Sequence, residues 1–314
     1  KQIFLKMHKS DLITSKKLLK KGEVIIFPTE TVFGIGADAT NSKAINLIYS
    51  LKKRPKNNPL ICHFKNLTEV KKHFKMNELE LKLAKLYWPG PLTLILTKKE
   101  SSNISLNLSN NTPYIGSRIP QNQIALSLLK AVDFPIAAPS ANIATKTSVT
   151  HYSDIDEKLK KKVFTLKGRS KLGLESTVIQ VKNKTINILR LGSITEEEIK
   201  KKFKKIKIKK IPYTKLSPGN QKKHYSPNLP IRINVKKVKN YEVLLNFGKN
   251  KLFSKIFSLN LSESGSLVEA SRNFFHYLHI LDKYKCKGIA VATIPLKGLG
   301  KTINDRIKRA SFNK

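Results

Sequence analysis

Four stretches of this chain set hydroxyls, amides and cations at spacings that could do chemistry. Thr29, Thr31, Gly34 and Gly36 read as a hydroxyl-rich turn after the apolar run 24–27, which Pro28 stops. Lys52, Lys53 and Arg54 close a helical pattern that Pro55 forbids from continuing. Ser140 and Asn142 stand in a turn just past the apolar run 134–138, with Ser148 beyond them, and Glu175, Ser176 and Thr177 lead into another strand-like run. Two single arginines, Arg118 and Arg190, fall near the ends of predicted strands, and His63 sits in the apolar run 60–64. Such groups are suited to holding an anion in place.

Each piece alone has an ordinary structural explanation. Cations at a helix end satisfy its last carbonyls and the macrodipole, and a Ser-x-Asn is common turn chemistry. Together they weigh differently, because an arginine buried near a strand end without an anionic partner is costly. Acids number 21 against 61 basic residues, and few are expected near these segments. A bound anion therefore accounts for the pattern better than internal pairing.

The elements that must position these groups follow from periodicity. A short helix over 11–21 feeds the first strand. A strand-turn-helix unit then carries the turn at 29–36 and a helix with Ala44, Ile45, Ile48 and Leu51 on one face. The spacing predicts one helix over 66–86, strands over 92–97 and 114–119, a helix over 121–132 and a strand pair over 173–191. A helix over 195–205 follows. From about 206 to 230 the texture changes to a lysine run and a proline-rich segment, KLSPGNQKKHYSPNLP, which marks a linker or lid. Strands at 231–235, 241–247 and 288–294 with helices at 266–284 and 302–312 make a second, small α/β unit. The expected domains are thus 1–205, 206–230 and 231–314.

Composition narrows the class. The chain has 314 residues, 40% of them hydrophobic, enough for two real cores. No apolar run reaches membrane-spanning length and residues 1–10 are polar, so no membrane association and a cytoplasmic location are expected. Cys62 and Cys286 are far apart and lack metal-ligand neighbours, and Cys62 reads as a buried structural thiol. The formal charge of +40 draws phosphate, yet only eight of the basic residues are Arg, and the lysines are spread through every segment without interleaved aromatics. This leaves room for weak, salt-sensitive, nonspecific contact with RNA.

In order and spacing, FPTETVFGIGADAT, LKKRPKNNPLICH, YWPGPLTLIL, SRIP, APSAN, LGLESTVI, LRLGSI, SPGNQKKHYSP and GLGKTINDRIKRAS resemble the threonylcarbamoyl-AMP synthase family over nearly the whole chain. The resemblance is to the YrdC-like fold in its long form. It implies a twisted mixed sheet with flanking helices and a basic concave face, plus a small Rossmann-like C-terminal α/β domain.

The implied activity combines L-threonine, bicarbonate or CO2, and ATP, with Mg2+ accompanying the nucleotide, into threonylcarbamoyl-AMP and pyrophosphate. The product would pass to a partner complex that modifies tRNA. The resemblance carries catalytic positions to Lys52, Arg54, Ser140 and Asn142. Threonine contacts fall on Thr31, His63, Arg118, Ala138 (through its backbone) and Ser176. Nucleotide contacts fall on Arg54, Asn58, Ser140, Ser148, Arg190 and Tyr225, the last brought over the site by the linker. Phe33 stands where many relatives have Tyr, and Tyr114 where a small Thr is common. The alternative from another class is an RNA-binding or regulatory module of the same fold without synthesis.

Overall fold

A computed structural model describes residues 7–211, 214–219 and 224–312 of the chain. Its first unit runs α1 (Lys9–Lys20), β1 (Ile25–Pro28), β2 (Phe33–Asp38), α2 (Ser42–Leu51), β3 (Ile61–His63), α3 (Leu67–His73), β4 (Phe74–Lys75), α4 (Glu78–Tyr87) and β5 (Leu92–Lys98). It continues with β6 (Tyr114–Arg118), α5 (Gln123–Ala131), β7 (Ile136–Ala137), α6 (Glu157–Lys162), β8 (Phe164–Thr165), β9 (Thr177–Lys182), β10 (Thr185–Arg190), α7 (Glu196–Lys202) and β11 (Ile208–Lys210). These strands form one mixed sheet in the order β11-β10-β9-β5-β6-β3-β7-β2-β1-β8, with β4 on β5.

The second unit holds β12 (Ile231–Arg232), β13 (Glu242–Asn246), β14 (Ser258–Asn260), α8 (Leu267–Leu281), β15 (Gly288–Val291) and α9 (Leu299–Ala310). Its sheet, β12-β15-β13-β14, is parallel throughout. Among the described residues no helix is long and apolar enough to cross a membrane.

Several elements differ from their sequence reading. The segment 29–36 is not one turn: Thr29 to Val32 make the turn of a β-hairpin, and Gly34 and Gly36 lie inside β2, paired with Phe27 and Ile25. A Cβ at Gly36 would stand 2.6 Å from the Phe27 ring and 2.8 Å from Ile136, so the glycine serves close packing. The single helix expected over 66–86 is two. Asn77 and Glu80 form a reciprocal capping box that starts α4, while Phe74 and Lys75 pair with β5 as a short strand. Ile208–Lys210, inside the stretch expected as linker, is an edge strand beside β10. β8, α6 and β14 lie where no element was expected, being short and weakly patterned.

Two cores flank the large sheet. One packs α2, α4 and the inner strands around Ile45, Ile48, Leu83 and Leu94, and the other packs α1 and α5 around Leu19, Phe27 and Leu128. The core of the second unit, built on Phe274, Phe275 and Ile303, also takes in Val32, Leu174 and Tyr225 from the preceding chain. That sharing brings the second unit against the end of the sheet where the polar groups collect.

Candidate active site

The site begins with how α2 ends. Asn41 caps its start by accepting from the amides of Lys43 and Ala44, and Ala44, Ile45, Ile48 and Tyr49 face the core. At the other end Lys53 takes φ +50°, its amide bonds Ser50 O, and the Arg54 amide bonds Tyr49 O at 2.9 Å. This is a Schellman turn with a lysine at the left-handed position. It leaves Lys53 exposed and sends both Lys52 and Arg54 inward.

The two buried cations then part. The Lys52 ammonium, 0% exposed, donates to Ser140 O at 2.5 Å and to Asn142 O. It ties the Ser140–Asn142 turn to α2 and does not face the cavity. Burial first, then Arg54, push its pKa well below the usual lysine range. Arg54 donates through Nε and Nη2 to Asn58 O, Asn58 Oδ1 and Pro59 O, and its guanidinium lines a cavity of about 550 Å³, mouth included. Burial is the main reason its pKa is lowered to about 10.

On one side of that cavity β6 presents Arg118. Its Nε donates to Gly90 O at 3.1 Å, Nη1 to Thr31 Oγ1 at 2.9 Å and Nη2 to Glu30 Oε1 at 2.5 Å. The sequence argument that acids would be scarce here fails at this point, because Glu30 lies between the two threonines and pairs Arg118 in full burial. The Thr29 and Thr31 hydroxyls are 2.9 Å apart. Beside them His63, 2% exposed on β3, leaves Nδ1 without a partner among the described residues, and burial followed by Arg118 lowers its pKa to about 3.

On the other side Arg190, at the end of β10, donates to Ser176 O, Ser176 Oγ and Pro218 O. Among the described residues neither Arg190 nor Arg54 is in an ion pair with a carboxylate. His224 and Tyr225 cover this side. Tyr225 has φ +64° and is 1% exposed, and its hydroxyl, like His224 Nδ1, has no hydrogen-bond partner among the described residues. Burial first, then Arg54, hold His224 well below the usual histidine range. Residues 220–223 of the expected lid lie outside the described residues.

Of the sequence-predicted positions, Thr31, Arg54, His63, Arg118, Ala138, Ser140, Ser176, Arg190 and Tyr225 line this one cavity. Four do not. Besides Lys52, Asn58 accepts from Arg54 and from the Gly219 amide, Asn142 donates to Ile143 O and Lys146 O, and Ser148 donates to Glu175 Oε1 at 2.6 Å. These residues buttress the lining.

Sequence reading missed a buried relay from the second unit. Arg306 on α9, 0% exposed, donates to Glu175 Oε2 at 3.0 Å and to Leu191 O at 2.6 Å, and its guanidinium lies 4.8 Å from the Tyr225 ring centre. Burial opposes the Glu175 charge, but Arg306 and then Arg190 hold its carboxyl below the usual range. Arg309 donates to Gly219 O and accepts from the His224 amide at its own carbonyl, so α9 grips the chain on both sides of 220–223. The available signal was the run of spaced cations in NDRIKRAS, which as sequence reads like an exposed helix face.

A mixed-sheet domain whose cavity gathers arginines, hydroxyls and unpartnered polar atoms, covered by linker residues that a second α/β unit braces, defines an enzyme for small anionic substrates. The chain belongs to the threonylcarbamoyl-AMP synthase family. The Sua5/YciO/YrdC family model, described as telomere recombination, matches residues 17–192, and the model for the threonylcarbamoyl-AMP synthase C-terminal domain matches 194–311. Threonylcarbamoyl-AMP synthase of Pyrococcus abyssi (strain GE5 / Orsay) is 33% identical, over 93% of this chain and 92% of that one. The Bacillus subtilis (strain 168) enzyme of the same name is 30% identical over 94% and 91%. The crystal structure of P. abyssi Sua5 complexed with L-threonine superposes with a TM-score of 0.84 at 29% identity, covering 98% of this chain and 95% of that one.

Proposed function

We propose that this chain condenses L-threonine, bicarbonate or CO2, and ATP into threonylcarbamoyl-AMP, releasing pyrophosphate, as a cytoplasmic nucleotidyltransferase that supplies a tRNA-modifying complex. The observation that carries this reading is the pairing, in one cavity, of an Arg118–Glu30 ion pair on one wall with a wall where, among the described residues, neither Arg54 nor Arg190 forms an ion pair and the nearby Glu175 is bound by Arg306. The first suits a zwitterionic amino acid and the second suits phosphates.

In the reaction the threonine amine, as free base, attacks CO2 and loses a proton to give the carbamate. A carbamate oxygen then forms a bond to the α-phosphorus as the bond to pyrophosphate breaks. No protein nucleophile is required, so the work is positioning and charge stabilisation. Thr31 and Arg118 would orient the amino acid, and neutral His63 can accept a hydrogen bond at Nδ1. Arg54 and Arg190 would face the phosphates, and Ser140 would stand between the two substrates. Tyr225 and His224 would exclude water from above.

The lining does not suit a protein-held Mg2+. Its carboxylate, Glu175, already takes Ser148 and Arg306. Mg2+ is therefore expected to arrive as part of the nucleotide substrate, held by phosphates and water.

Purified protein should release pyrophosphate from ATP only when Mg2+, threonine and bicarbonate are all present. Equal turnover with threonine omitted would contradict the assignment.

A further inference from the structure

Away from the cavity, a second group of side chains joins the two units. Tyr152–Asp154 forms a 3₁₀ turn whose Asp154 amide bonds His151 O at 3.0 Å. In such a turn side chains three apart eclipse one another, so His151 and Asp154 stand on one face. Opposite them α8 presents His276, whose Nδ1 lies 2.9 Å from Asp154 Oδ1 and 3.0 Å from Oδ2. His151 Nδ1 lies 3.8 Å from Asp154 Oδ2, and the two imidazole rings have centres 3.9 Å apart.

One donor atom from each of the three residues falls within 4.8 Å of the others. Bonds of about 2.0–2.1 Å to a tetrahedral ion set donors about 3.4 Å apart, inside the span found here. Two imidazoles and one carboxylate are a donor set for a borderline divalent ion such as Zn2+. The Asp154 side chain is 1% exposed, while those of His276 and His151 are 24% and 32% exposed, which leaves one side open for a water ligand.

We propose that His151, Asp154 and His276 form a binding site for a divalent transition-metal ion, of the Zn2+ class, that clamps α8 of the second unit to the first. The ion takes the place of the hydrogen bond between His276 Nδ1 and the Asp154 carboxylate. The surrounding groups set limits on the site. Thr150 Oγ1 lies 3.3 Å from His151 Nδ1, Ser153 Oγ lies 3.4 Å from Asp154 Oδ1, and Arg169 pairs through its backbone with His151. His279, one turn along α8, is turned to Ser148 O and is not a ligand. None of the three residues lines the cavity.

The test uses untagged full-length protein stripped with a chelator and titrated with Co2+. The site predicts one saturable Co2+ per chain, with the intense visible d–d bands of four- or five-coordination, abolished by one equivalent of Zn2+. His276→Ala and Asp154→Asn should weaken binding by about 100-fold or more, and His279→Ala should leave it in place. Melting covers the case of poor folding. Zn2+ should raise the midpoint of the wild-type protein and leave that of His276→Ala where it was. Absence of a saturable spectrum, the pale bands of a six-coordinate ion, or equal binding by His276→Ala would overturn the proposal and leave an ordinary hydrogen bond between the units.

Discussion

The two walls of the cavity hold similar groups under opposite electrostatic rules. On the β6 side Arg118 spends Nε on a carbonyl and its two terminal nitrogens on Thr31 and Glu30, so its charge is neutralised before any ligand arrives. On the β10 side Arg190 and Arg54 meet carbonyls and amide oxygens, and no carboxylate pairs with them among the described residues. A wall that is already neutral selects by shape and hydrogen bonding. A wall left cationic in a buried place gains most from a multiply charged guest. The difference divides the labour between amino acid and nucleotide without either wall supplying a nucleophile.

Perturbing each wall should give effects of different kind. Glu30→Ala strips the acid from Arg118 and leaves a buried charge unpaired. It should cost about 3–5 kcal/mol of stability, read in a denaturant titration; an unchanged midpoint would show that the pair does not neutralise this wall. Arg54→Ala removes a cation that no acid answers. It should cost about 3–4 kcal/mol in the barrier, near-abolition of pyrophosphate release, while unfolding remains a single cooperative transition. Normal rates in that variant would misplace the phosphate wall.

His63 offers a pH test. Its pKa is about 3 in the folded chain against 6.5 unperturbed, so between those values the unfolded state binds the proton and the folded state does not. Stability should therefore fall as pH drops from about 6.5 towards 3, by up to about 1.4 kcal/mol per pH unit. His63→Asn should flatten that slope, and an identical slope would mean that His63 is not held neutral. The smallest effect is Lys53→Gly. Relieving the left-handed lysine at φ +50° should stabilise by about 1 kcal/mol with turnover unchanged, since Lys53 points to solvent between two inward cations. A fall in turnover would place Lys53 on the wall as well.

Much of this was legible beforehand for local reasons. Pro55 ended α2, apolar spacing marked β5 and β6, and the small polar groups after strand ends converge as their positions implied. Glu30 escaped notice because a single acid between two threonines carries no periodic signal, yet it sets the charge of one wall. Lys52 looked like Arg54 by type and spacing. The Schellman turn turns both inward, and the reach of the lysine stem to Ser140 O decides that it braces the turn. Arg306 stood in a run of spaced cations, but its burial depends on how α9 docks more than a hundred residues after Glu175. Long-range docking leaves no trace in local periodicity.

The division of labour is tested most directly by calorimetry on Arg54→Ala with L-threonine and, separately, a non-hydrolysable ATP analogue with Mg2+. The account predicts that threonine affinity stays within a few-fold of the unaltered protein while nucleotide affinity falls at least about tenfold, the loss of one charge-assisted contact. Equal loss of both ligands, or loss of threonine alone, would contradict it.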